Sequence, residues 1–146
     1  MLSPGARRGL LLTAAALVAV FAVAAWLDPY DQDGRPRTME THRQLGLPPC
    51  TFRTVTATPC PSCGITTSFA LLMRGDMVNS LRANSVGTLL ALFWMTLIPW
   101  ALFSALRGRW LWIASIERAL TWAVLVFLVL LLARWGVVIG LRWLGF

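Results

Sequence analysis

Cys60 and Cys63 stand in the run CPSCG, with Cys50 upstream and the chain's one histidine, His42, further upstream still. Thiols at this spacing do one of three things: hold a soft metal ion, cycle a disulfide, or staple a turn. Gly64 can take positive φ without steric cost, which turns nearby amides toward the sulfurs. A haem-attachment site needs histidine directly after the second cysteine, and position 64 is glycine. A thioredoxin-type domain needs a sheet, and the polar stretch before the pair is too short to supply one.

Zinc takes four ligands in a structural site. Beyond Cys60 and Cys63, the residues with suitable donor atoms are Cys50 and His42, so the candidate metal set is Cys50, Cys60, Cys63 and His42, with zinc as the candidate cofactor. The second close cysteine pair of a zinc ribbon is missing. For redox exchange, Cys60 would cap the following helix, with Pro61 at its first position. The helix amides would then lower the Cys60 pKa, making Cys60 the attacking thiolate and Cys63 the resolving thiol. A purely structural staple, with Cys50 as a further partner, is the third reading. All three stay open at the level of sequence.

Other constellations carry less. Asp31, Asp33, Gly34 and Glu40 fit four positions of a calcium loop, but Pro29 falls where the first ligand belongs, so a solvated acidic turn is the better reading. Thr66, Thr67 and Ser68 lack a base, which argues against hydrolysis. RGD at 74–76 reads as a turn. Asp76 and Asn84 flank a short amphipathic run and read as helix caps at the water boundary.

The elements that must position these residues are apolar. Of 146 residues, 58% are hydrophobic and 13% charged, and the mean hydropathy is +0.69; a soluble domain carries about twice that charge. Uncharged runs at 10–27 and 83–106, and a third at 119–139 broken only by Arg134, are long enough to span a bilayer. The first run could also be a signal peptide cleaved after Ala22-Val23-Ala24, but Trp26 and Leu27 extend it past that point. Pro99 is expected to kink the second span and free a carbonyl, and Arg134 to reach outward to the headgroups. Residues 28–64 form a polar loop holding four of the six acids, with a possible short strand at Phe52–Ala57. Residues 65–73 are too few to cross; with Ile65, Phe69 and Leu72 on one stripe, they form a helix lying in the interface or dipping into it.

All basic residues are arginine, and the net charge is +7. They are dispersed between apolar segments, which argues against a nucleic-acid surface. Trp26, Trp110, Trp112, Trp135 and Trp143 lie near segment ends, where indole suits the headgroup layer. Arg7 and Arg8 at the amino terminus and the arginines of the 107–118 loop mark those parts as cytoplasmic, which leaves the cysteine loop extracytoplasmic; the arginines between Arg35 and Arg82 count against this assignment.

The block LPPC…TPCPSCGITTSFALLMRGD…LRAN resembles the bacterial domain-of-unknown-function family 2752. Cys50, Cys60, Pro61, Cys63, Gly64, Thr66, Arg74, Gly75, Asp76 and Asn84 fit its pattern. Thr67 departs from it, standing where many members carry arginine. The resemblance implies a small bacterial integral membrane protein and is silent on activity.

The expected architecture is all-α: one membrane domain of three spanning helices and a short interfacial or re-entrant helix after the cysteine loop. The expected role is a structural or interaction component with a cysteine site, staple or metal, at the membrane surface. The alternative is a membrane thiol-disulfide oxidoreductase using Cys60 and Cys63. The partner expected is the lipid bilayer, with other membrane proteins as candidates and no nucleic acid.

Overall fold

A computed structural model describes residues 2–109 and 115–145. Trp110 and Trp112, expected at a headgroup boundary, lie outside that range. The chain runs α1 (Pro4–Trp26), a 3-10 turn (Thr41–Leu45), α2 (Thr51–Thr56), α3 (Ile65–Met73), α4 (Met77–Arg107) and α5 (Ile116–Trp143). The helices α1, α4 and α5 are long and apolar enough to cross a membrane. At 1.5 Å per residue, even α1 reaches roughly 34 Å, more than a hydrocarbon core of about 30 Å.

Starts and stops follow local chemistry. Ser3 caps α1 by accepting from the Ala6 amide, with Pro4 pre-set for the first turn. The RGD tripeptide is indeed a turn: Gly75 takes φ +77°, and Asp76 caps α4 by accepting from the Asn79 amide. The main chain of Leu2 donates to Gly108 at 2.7 Å, so the start of α1 and the end of α4 share one face.

Apolar contact alone gives helices no preference for each other over lipid tails, so close packing must hold them. Here Ala14 of α1 meets Ala101 and Ala105 of α4 beside Leu10, small residues that let the backbones approach. Toward the other end, Phe21 stacks on Phe69 with centroids 5.8 Å apart, and Trp94 meets Phe69 edge-on at 5.6 Å. Phe69 and Leu72 join this cluster, as the expected stripe on α3 requires.

The opposite face of α3 is buried as well. Thr67 pairs its hydroxyl with that of Thr41 at 2.8 Å. The Ser80 hydroxyl donates to the Ser68 carbonyl at 2.8 Å and lies 2.7 Å from the Thr88 hydroxyl. Short side chains on both helices place Gly87 against Ile65 and Ser68: a Cβ added at Gly87 would lie 2.5 Å from Ser68 Oγ and 3.2 Å from Ile65 Cα.

Three sequence expectations need correction. Residues 51–56 are helical, not extended. Among the described residues no strand offers itself as a partner, and the Thr54 and Thr56 hydroxyls turn back onto the carbonyls of Thr51 and Phe52. The break in α4 falls at Asn84, the residue with non-helical backbone (φ −158°, ψ 103°), and not at Pro99. Asn84 Oδ1 accepts from the Gly87 amide at 2.9 Å and so caps a second helical segment. That amide is the one that would otherwise serve the Ala83 carbonyl. Arg134 supplies the replacement, donating from Nη2 to Ala83 O at 3.0 Å, and so folds inward instead of reaching for the headgroups.

Candidate functional site

The peptide from Cys60 to Gly64 is a turn, closed by the Cys63 amide on the Cys60 carbonyl at 3.1 Å. Helix α3 begins only at Ile65, capped by Gly64. Cys60 therefore does not cap that helix and Pro61 is not its first residue, contrary to the arrangement the redox reading assumed; the turn consumes those residues before the helix starts. Gly64 takes φ +91°, as its place in the motif suggested, and a second constraint acts there. A Cβ at this position would stand 2.6 Å from Ala83 O and 2.8 Å from Thr38 O. The turn thus lies directly on the break in α4, where Asn84 Nδ2 donates to the Cys63 carbonyl at 3.0 Å.

This seating brings three thiols together. Cys50, immediately before α2, and Cys60 and Cys63 in the turn have sulfurs that all lie within 4.8 Å of one another. The Cys60 amide donates to Cys63 Sγ at 3.1 Å, and Cys60 Sγ lies 3.4 Å from Ser62 Oγ. All three cysteines are half-buried and free. They border a cavity of about 390 Å³ whose wall also includes Met39, Glu40, His42 and Arg53. His42 lies outside the three-sulfur group, with Nε2 3.3 Å from the Pro48 carbonyl. Arg53 is held by Glu40 at 2.9 Å and donates to Met39 Sδ at 3.0 Å.

The sulfurs differ in acidity. The Arg53 backbone amide, directed at Cys50, pulls that thiol below its ordinary range. Burial pushes Cys63 up to about 12, and the neighbouring Cys60 sulfur adds to the rise. Three thiols this close can bind one soft cation together, whereas a disulfide uses two and leaves the third.

Of the other residues singled out in the sequence, Thr67 is committed to its bond with Thr41. Asp31 caps its own turn, accepting from the amides of Asp33 and Arg35. Glu40 sits between Arg43 and Arg53. Two residues at the site read in the sequence as headgroup anchors and not as site residues. Trp135 donates from Nε1 to the Pro59 carbonyl at 2.8 Å and meets Phe52 edge-on at 6.1 Å. Arg134 donates to the Ala83 carbonyl, which abuts Gly64, the residue after Cys63. The one available signal was an arginine inside an apolar run, where a charge survives only with a partner.

Three apolar helices and a cluster of thiols fit a multi-pass membrane protein with a cysteine-bearing loop. Residues 50–98, the segment that builds the thiol site, match the family model described as protein of unknown function DUF2752, the family that the motif resembles. No curated protein and no solved structure matches the chain.

Proposed function

We propose that this is a structural or interaction protein of the cell membrane that binds a soft divalent cation, zinc first among them, on Cys50, Cys60 and Cys63. The observation that carries this reading is the mutual approach of three sulfurs from two separate segments. Zinc–sulfur bonds of about 2.3 Å in a tetrahedral site put sulfurs roughly 3.8 Å apart. The cluster needs only a small contraction to reach that spacing. His42 is the fourth donor. It lines the same cavity, and its bond to Pro48 at 3.3 Å is longer than a good N–H···O contact and easily given up. Bound metal would join the 28–64 loop, α2 and the start of α3, so its binding energy would act as folding energy for this surface.

The arginines flanking α1 and α4 support an amino terminus in the cytoplasm and a cysteine loop on the far side. Thiol-disulfide exchange is the second reading, supported by the closeness of the Cys60 and Cys63 sulfurs. In it Cys60 attacks a substrate disulfide and Cys63 displaces the substrate's second sulfur, oxidising the cysteine pair and reducing the substrate. A resolving thiol raised to about 12 supplies little thiolate near neutral pH, which counts against this step. Metal coordination replaces the proton and has no such difficulty.

Elemental analysis of detergent-purified protein, with thiol titration before and after reduction, tests the proposal. One zinc per chain, lost when Cys50, Cys60 or Cys63 becomes serine, is the expected result. Three free thiols and no metal after zinc loading would overturn it. A thiol-exchange activity abolished by Cys60→Ser would favour the second reading.

A further inference from the structure

The third span is attached to the rest of the fold in an unusual way. No residue of α5 is buried. Deep in the span it meets α4 through Phe93 and Phe127, with centroids 5.6 Å apart. Two adjacent residues, Arg134 and Trp135, hydrogen-bond it to other elements. Each of their contacts ends beside a different cysteine. Phe52, under the Trp135 ring, is two residues from Cys50. Pro59, which accepts from Trp135, directly precedes Cys60. Ala83, which accepts from Arg134, presses its carbonyl on Gly64, the residue after Cys63.

We propose, building on the metal reading above, that loading the three-cysteine site fixes α5 in place, so that the third span is docked when the site is filled and loosened when it is empty. A cation that draws the sulfurs together must also draw together Phe52, Pro59 and Gly64, the three points on which Arg134 and Trp135 rest. A divalent ion on three thiolates leaves one net negative charge, and the Arg134 guanidinium is held on the Ala83 carbonyl, which abuts the residue after Cys63. Loosening costs the molecule little elsewhere, because α5 contributes nothing buried to the clusters that hold α1, α3 and α4. Arg134 and Trp135 are positioning residues in this scheme, with α5 pivoting about the Phe93–Phe127 contact.

The test is a distance measurement on the full chain in lipid nanodiscs. Spin-labelled, non-cysteine amino acids replace the lipid-facing Val18 of α1 and Val137 of α5, both exposed. Zinc and a chelator are compared, with bound zinc counted in the same samples. The expected result is a distance distribution that narrows on zinc loading. The double variant Arg134→Gln, Trp135→Phe should bind zinc one to one and lose the narrowing, and Arg134→Lys should keep part of it. Bound zinc with an unchanged distribution, or a double variant that still narrows, would overturn the coupling while leaving the metal site intact. Failure to bind zinc at all would overturn both.

Discussion

The side chain of Asn84 joins the two halves of the site: Nδ2 donates to the Cys63 carbonyl at 3.0 Å while Oδ1 accepts from the Gly87 amide at 2.9 Å. Asn84 is fully buried, so neither bond can be replaced by water without opening the fold. Asn84→Ala leaves a carbonyl and an amide unpaired, at a cost of about 1–3 kcal/mol for each group. Unfolding in mixed detergent should show that loss. Asn84→Asp keeps the cap on Gly87 but removes the donor to Cys63, so it should fall between alanine and wild type.

Two glycines of the long helices should respond in opposite ways. Gly87→Ala drives a methyl group into Ser68 and the backbone at Ile65, an overpacking worth roughly 1–3 kcal/mol. Gly136 has nothing within 4 Å of an added Cβ, so Gly136→Ala should be neutral or stabilise by up to about 1 kcal/mol. Parallel detergent unfolding of the two variants checks the contrast. Equal losses would mean that α3 does not press on α4 at Gly87.

Thiol reactivity should follow the acidities. Metal-free protein treated with iodoacetamide near pH 8 should lose Cys50 first, because the Arg53 amide favours its thiolate. Cys63, pushed up to about 12, is then roughly one part in ten thousand thiolate and should react last. Its rate should climb steadily as pH rises toward that value, which peptide mass spectrometry can follow residue by residue. Zinc should protect all three.

Beyond the far end of α3, Asn79 holds the Asp76 carboxyl below its ordinary value of 3.8, through side-chain and backbone bonds. A carboxylate depressed in the folded state adds stability above the unfolded pKa, and that stability is lost as pH falls through the folded one. Acid titration of the wild type should therefore show a loss of stability that begins as pH falls through the ordinary carboxylate range and is complete only below it. Asp76→Asn should remove this component of the acid limb. An identical limb in both proteins would mean that the cap does not depend on charge.

Much of the architecture was legible because it rests on long local patterns. Apolar runs free of ionisable groups announce the three long helices, and Asp76 and Gly64 declare their backbone roles by residue type. The meeting of Cys50, Cys60 and Cys63 was legible as a set of alternatives, since side-chain chemistry narrows the donors without fixing distances. The departures arose where distant parts of the chain meet. The β-branched residues at 51–56 suggest a strand until it is clear that no strand lies alongside. Proline advertises a kink, whereas Asn84 makes one by offering its own side chain to Gly87, and the gain depends on the turn it simultaneously holds. The inward bond of Arg134 depends on a carbonyl freed 51 residues earlier, a condition that no local window contains.

The turn bearing Cys60 and Cys63 is moored through oxygens of the main chain: Asn84 to Cys63, Arg134 to Ala83 and Trp135 to Pro59. Main-chain oxygens are common to every residue type. Side chains facing the cavity, such as Met39, His42 and Ser62, can thus be exchanged without moving the scaffold beneath them. Under the metal reading proposed above, which ion the pocket prefers and where the pocket sits become separate variables, so lineages carrying this frame would be free to retune the first while inheriting the second.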